Sequence, residues 1–248
     1  MLYIPFSKQQ RENAMIDVRP ASAFAATQLG WLNARHHFPV DGRDDPAHRP
    51  VKSLYVWNDD EFAPGHGFSL HFHRDVEIIT YVRAGAVTHE DTLGNSYELR
   101  AGDVQVMSAG SGLRHSEFNR GHVPLKLFQI WLAPNRLGAR PSYATRRFPD
   151  RDRLNGLTIL ASGLAEDASS GALPLRADGR LVAGRLKGGH SIRYLLEGTR
   201  DVYVVPTAGT VSINGAQIGT GDGAAIVGEA KLEFEALEDA ELLAVEVL

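Results

Sequence analysis

The stretch LHFHRDVEIITYVRAGAVTHEDTLGN, residues 70–95, carries the pattern on which the fold turns. Its β-branched and aromatic runs are short and end at Gly, Asn and Asp, the punctuation of β-strands rather than of helices. Leu93-Gly94-Asn95 supplies a turn where positive φ is tolerated, so HEDTLGNSYEL reads as a hairpin. At the other end, His71 and His73 are two residues apart. On a strand, residues i and i+2 project from one face, which places both imidazoles together and turns Phe72 the other way. A second such pair, His115 and Glu117, lies downstream in LRHSEFN, residues 113–119.

Working outward, strand signals continue through SLYVWNDD, SYELRAGDVQVMSAG and LKLFQIWLAP, while long helical patterns are nearly absent. PASAFAATQLGWLNARHH, residues 20–37, has room for one short helix. Residues 133–150, APNRLGARPSYATRRFPD, are rich in Pro, Gly and Arg and read as a linker. The segments on either side share a plan: IITYVRAGAV at 78–87 matches VYVVPTAGTV at 202–211, and AGDVQVM at 101–107 is echoed by TGDGAAIV at 220–227. The expected fold is therefore all-β, two jelly-roll β-barrels in tandem with few short helices. Residues 1–133 form the first unit, 134–150 the connection and 151–248 the second.

With 43% hydrophobic and 23% charged residues, the 248-residue chain has ordinary globular composition. A net charge of −4 and scattered arginines argue against direct binding of nucleic acid. No cysteine is present, which removes disulfides, thiolate nucleophiles and iron–sulfur clusters, so any redox chemistry needs a metal or an organic cofactor. The first fifteen residues lack an apolar stretch long enough for a secretory signal, and no later segment could span a bilayer; a soluble, cytoplasmic protein is expected.

Taken singly, a His-x-His on a strand is more often surface or hydrogen-bonded polar residues than a metal site, and a His-x-Glu says less still. Together, as same-face pairs from two strands, three imidazoles and one carboxylate could converge on one ion. Such a nitrogen and oxygen set suits a divalent first-row metal, and four ligands on an octahedral ion leave two positions for substrate or dioxygen. A structural zinc site would more often use thiolates and close its shell. Other motifs receive plainer readings. His36-His37 precedes a polar loop, His89-Glu90 lies on an outward stretch of the hairpin, and His66 has no evident partner. DGRDDP, residues 41–46, matches no calcium loop, and GTGDG at 219–223 is a turn.

Gly65, His71, His73 and Glu77 match the first cupin motif, with one extra residue between Glu77 and Gly85; Gly102, His115 and Asn119 match the second, with a longer approach to the histidine. That longer form, GDVQVMSAGSGLRHSE, together with HFHRDVEIITYVRAGAVTHEDTLGN, resembles the pirin family, nearest to bacterial members associated with quercetin 2,3-dioxygenase activity. Phe72 departs from the Pro that many relatives carry there. The resemblance implies a bicupin whose N-terminal half binds metal through His71, His73, His115 and Glu117. Glu77 then becomes a group supporting a ligand imidazole or a buried structural carboxylate paired with Arg74 or Arg83. Fe(II) is the first expectation for the ion, with Mn, Ni, Co, Cu and Zn compatible.

The implied activity is cleavage of a flavonol such as quercetin by dioxygen, with Glu117 as candidate base and Phe68, Tyr81, Phe128 and Trp131 as candidate pocket walls. The alternative is a regulatory protein that binds a protein partner and carries a structural or redox-sensing metal. In the second half Leu195, Glu197, Phe234 and Ala236 fall where the ligands stand in the first, so no metal is expected there.

Overall fold

The computed structural model describes residues 14–40, 45–149 and 154–248; the first thirteen residues and 41–44, most of the acidic DGRDDP loop, lie outside it. Among the described residues twenty-two strands follow in chain order. In the first half they are β1 Met15–Arg19, β2 Ala25–Gln28, β3 Leu32–His36, β4 Leu54–Phe62, β5 Gly67–His73, β6 Glu77–Ala84, β7 Ala86–Asp91, β8 Ser96–Arg100, β9 Asp103–Ser108, β10 Leu113–Phe118, β11 Leu125–Leu132 and β12 Ser142–Arg147. The second half contributes β13 Gly156–Ser162, β14 Leu173–Pro174, β15 Gly179–Leu186, β16 Ser191–Leu195, β17 Asp201–Ala208, β18 Val211–Ile213, β19 Ala216–Ile218, β20 Gly223–Val227, β21 Lys231–Ala236 and β22 Ala240–Val247. Helical structure among the described residues is confined to 3₁₀ turns such as Ala21–Ala23 and Ala165–Asp167. The 20–37 stretch, read as room for a helix, instead forms the β2–β3 hairpin, with Leu32, Ala34 and His36 buried and Asn33 and Arg35 exposed.

Four sheets stack as four layers. Sheet I has the order β12-β9-β6-β11-β4-β3-β2, sheet II β5-β10-β7-β8, sheet III β1-β20-β17-β22-β15-β13-β14 and sheet IV β16-β21-β18-β19. Sheets I and III lie back to back: Trp57, Ile79, Tyr81, Val106, Phe128 and Ile130 from one share a single buried cluster with Leu181, Tyr203, Val205, Leu243 and Val245 from the other. Sheet II covers the far face of sheet I, with Val87 and Leu99 packed on Phe62, Val82 and Leu127. Sheet IV covers the far face of sheet III through Val211, Ile213 and Phe234.

Layer position explains the sequence patterns. Strands of the inner sheets are covered on both faces and read as continuous apolar runs, as in EIITYV and VYVVP, buried at every position. The outer sheets face water on one side and alternate, as in KLEFEA.

The sheets do not form the closed barrels expected from the sequence. Among the described residues each sheet runs linearly between two end strands, and no sheet closes on itself. Each half is an open sandwich whose sheets meet through side chains. The inner sheets grow to seven strands by adding β2, β3 and β12, or β1, β13 and β14, at their margins rather than by pairing with the outer sheet.

The shared plan of the halves is visible as strand order, β9-β6-β11-β4 in sheet I against β20-β17-β22-β15 in sheet III. Two strands cross the expected divisions. Within the Pro- and Arg-rich stretch, Ser142–Arg147 forms β12 on the edge of sheet I, and β1 pairs with β20 in sheet III.

Candidate metal centre

The site lies between sheets I and II. Strand β5 is an edge of sheet II and pairs with β10 in a register that sets His71 directly opposite His115. The close approach of these strands depends on Gly67: a Cβ there would overlap the Glu117 carbonyl oxygen and stand 2.6 Å from Phe118 Cα. The three imidazoles of His71, His73 and His115 meet with ring centroids 4.4–5.0 Å apart. His71 and His73 are half-buried, and His115 and Glu117 are buried. On the outer face of β5, Phe72 is exposed and its ring covers Gly112, away from the imidazoles.

Each imidazole is prepared to donate a lone pair. His71 Nδ1–H donates to the Ser69 carbonyl at 2.8 Å, which leaves Nε2 as the free nitrogen. Burial, aided by the charge of His71, pushes the His73 pKa down to about 4. Burial and the neighbouring imidazoles lower that of His115 as well. The His73 and His115 rings are therefore neutral at neutral pH, as metal ligation requires. Neither ring nitrogen of His115 has a hydrogen-bond partner among the described residues, although both are buried. An orphaned imidazole inside a protein is costly, and an ion is the kind of partner that would satisfy it.

Glu117 is fully buried in a polar cradle from sheet I. Thr80 Oγ1 and Gln105 Nε2 donate to its Oε1 at 3.4 and 3.1 Å, and Gln129 Nε2 donates to Oε2. These three residues are register partners across β9, β6 and β11, so their side chains form one row on the interior face of sheet I. Burial outweighs their hydrogen bonds and raises the Glu117 pKa to about 7. A second buried carboxyl, Asp60, is raised to about 8 by burial and by the charge of Glu117.

The donor atoms fall into two triads that share His115. One is His71, His73 and His115; the other is His89, His115 and Glu117, each with its atoms within 4.8 Å of one another. Glu117 thus sits beside His115 on the inner side of the cluster. His89, read from sequence as outward, is buried and is the register partner of Glu117 on β7. The buried nitrogen and carboxylate donors suit a divalent metal ion, harder than a thiolate-preferring one.

The remaining predicted residues separate by strand parity. Trp131 meets His73 edge-on at 5.0 Å, and Phe68 contacts His71 at 6.0 Å. Tyr81 and Phe128 occupy the opposite face of sheet I, in the core shared with sheet III. Glu77 is buried but away from the imidazoles. It accepts from Ser108 Oγ at 2.7 Å and from the Arg176 backbone N–H at 3.0 Å, tying the two halves together, while Arg83 pairs with Asp59.

Thr80, Gln105, Gln129 and His89 were missed from sequence, yet a signal was there. The first three are lone polar residues at the centres of apolar strands, IITYV, VQVM and FQIW. His89 shares its strand face with the core residue Val87.

In the second half, the interior between sheets III and IV holds charges that satisfy one another. Glu246 accepts from Arg180 and from Tyr194 on Oε2, and from Arg200 on Oε1 at 2.8 Å.

An all-β sandwich with imidazoles and a carboxylate converging between its sheets defines a metal-binding protein of the cupin type. The chain belongs to the pirin family: residues 17–132 match the family model described as Pirin, and residues 160–247 match that of the quercetinase C-terminal cupin domain. It is 47% identical over 232 residues to the "Pirin-like protein" of Caulobacter vibrioides, covering 94% of this chain and 99% of that one. It is 37% identical to the "Quercetin 2,3-dioxygenase" of Escherichia coli K12, covering 92% and 97%. The crystal structure of the bacterial pirin YhhW from Escherichia coli in complex with nickel(II) superposes with a TM-score of 0.87 at 36% identity, covering 94% and 99%. Family and donor cluster together support a metal-dependent oxidoreductase of the quercetinase family.

Proposed function

We propose that this protein is a dioxygenase that cleaves a flavonol-like substrate, with one divalent first-row metal, Fe(II) first among them, held by His71, His73, His115 and Glu117. The observation that carries the reading is the orphaned, buried His115 between two half-buried imidazoles and a buried carboxylate, in a chain whose relatives include a protein named quercetin 2,3-dioxygenase. When bound, the ion supplies a Lewis acid for the substrate oxygen and a centre at which dioxygen chemistry takes place.

The chain's own contribution is to admit, orient and deprotonate. Entry is from the β5 side, where His71 and His73 are only half-buried. Trp131 and Phe68 give that side the apolar walls a planar ring needs. Trp131 is itself fixed by its indole N–H, which donates to Gln129 Oε1 at 3.3 Å. Glu117, with a pKa near 7 before any metal is present, is poised to take the acidic hydroxyl proton of the substrate at its carboxylate oxygen. Thr80, Gln105 and Gln129 hold that carboxylate in place as its charge changes.

The test is aerobic turnover of quercetin by protein reconstituted separately with iron, manganese, nickel, cobalt and copper, with metal content quantified. Turnover that follows one metal, releases carbon monoxide and disappears in His73→Ala supports the reading. Full metal occupancy without turnover refutes the flavonol substrate. Full occupancy in His73→Ala refutes the ligand set.

A further inference from the structure

His89 is the residue of this cavity with no role in the reading above. Its side chain is wholly buried, and three contacts fix it. The ring nitrogen Nε2 lies 3.1 Å from Asp91 Oδ2, whose side chain is also wholly buried. One face stacks on Tyr143, centroids 4.5 Å apart and planes 25° from parallel. The backbone is held opposite Glu117 in the β7–β10 ladder.

Asp91 is anchored in turn. Its carboxylate accepts from the backbone N–H groups of Leu93 and Asn95 and from the Asn95 side chain, so the HEDTLGN turn sets its position. An ionised carboxylate only accepts, so the proton of a neutral His89 sits on Nε2 and the lone pair on Nδ1. That Nδ1 is buried without a hydrogen-bond partner among the described residues. The neighbouring ring is that of His115, centroids 5.3 Å apart and with a ligand atom of each residue within 4.8 Å, and it too lacks partners at both nitrogens among the described residues. A histidine that gives one nitrogen to an ion carries its proton on the other, and that N–H is almost always received by an acceptor which fixes tautomer and orientation. His71 has its acceptor in the Ser69 carbonyl.

We infer that His89 is the positioning residue for His115: its Nδ1 receives the N–H of His115 once that ring holds the ion, and Asp91 fixes the His89 tautomer that makes this possible. The aspartate–histidine–histidine row then runs from the hairpin turn to the metal. This inference rests on the metal-centre reading. The two fail differently: if that reading is wrong the wild-type protein does not hold the ion, whereas failure here leaves wild-type binding intact.

The experiment uses ¹⁵N-histidine-labelled wild-type protein loaded with Zn(II). NMR is expected to show His89 protonated at Nε2, with Nδ1 accepting a proton shared with His115. His89 protonated at Nδ1, or bound to zinc through Nδ1, overturns the inference. Two variants give an independent reading of zinc affinity by chelator competition, each checked for the wild-type circular dichroism spectrum. His89→Asn places an acceptor oxygen near the Nδ1 position and is expected to stay within a few-fold of wild type. His89→Gln places its donor near Nε2, keeps the Asp91 contact and removes the acceptor; a loss of roughly 10–100-fold is expected. The reverse order, or no loss in His89→Gln, assigns His89 to the hairpin alone and overturns the proposal.

Discussion

Replacing Glu117 by Gln isolates what a buried carboxylate does to a protein that has no ion to meet it. In the metal-free protein the Glu117 pKa stands at about 7, raised from 4.5 chiefly by burial. The folded state therefore holds the proton more tightly than the unfolded chain does. Below pH 4.5 both states are protonated and position 117 is neutral in its effect. As pH rises from 4.5 through 7 the unfolded chain ionises first, and stability is lost. At about 1.4 kcal/mol per pH unit, the loss above pH 7 approaches about 3 kcal/mol.

Glutamine cannot ionise, so Glu117→Gln removes this slope. The amide also meets a row of donors built for a carboxylate, and its NH₂ opposes that of Gln129, a cost of about 1 kcal/mol that does not vary with pH. The quantity to measure is the difference in unfolding free energy between variant and wild type, by urea titration after chelator treatment. It should move in favour of the variant by about 2–3 kcal/mol between pH 4.5 and pH 8. Zinc at a hundredfold excess over its Kd should reverse the order, adding about 2.7 kcal/mol to the wild type and less to the variant. A difference that is flat with pH, or that moves towards the wild type, would mean Glu117 is already ionised and stabilised in the metal-free fold, and the reasoning fails.

Three further outcomes are expected. Gly67→Ala, by forcing a methyl into the Glu117 carbonyl, should push β5 from β10, cost about 1–3 kcal/mol in urea unfolding and weaken zinc binding as His71 and His115 part. Glu77→Ala leaves the Ser108 hydroxyl and the Arg176 N–H without their acceptor; a loss of roughly 2–4 kcal/mol is expected, with faster proteolysis between the halves and unchanged zinc stoichiometry. Glu246→Ala strips the buried Arg200 and the partly buried Arg180 of their shared carboxylate. About 3 kcal/mol should be lost, the low end because Asp167 and Glu166 remain as partners, while zinc affinity measured on the folded protein stays at the wild-type value.

Strand content and the repeated plan were legible because both follow from local composition: short β-branched runs, glycine turns and a matched pair of Gly-Asp turns. So was the convergence of His71, His73 and His115, since i, i+2 spacing on two strands is local geometry and only their pairing is not. Sheet closure was not legible. Whether an edge pairs, stays open or takes on another strand depends on contacts between residues far apart, such as Met15 with Val227. Strand parity failed for a related reason. EIITYV and LKLFQIWL are apolar on both faces because sheet I is covered on both sides, so hydrophobicity alone could not say that Thr80 and Gln129 face Glu117 while Tyr81 and Phe128 face sheet III. The lone polar residue in each apolar strand was the clue that survived. The burial of His89 was not legible from its hairpin, whose turn residues are polar, although Val87, two residues before it, is fully buried in the core.

The exchange of β1 into sheet III has a consequence in time. During synthesis the first half acquires its last strand, β12, at residue 147, and the candidate metal donors are complete by residue 117. Among the described residues strand β1 pairs only with residues 223–227, which are made much later. The newborn chain thus carries an unpaired leading strand, and the face of sheet I lined by Trp57, Tyr81 and Phe128 stays bare, through most of the translation of the second half. A ribosome-bound nascent chain ending before residue 223 should be able to gather the metal donors while still presenting that bare face to chaperones. Gathering the candidate metal donors and covering the inner face of sheet I are, for this chain, successive events.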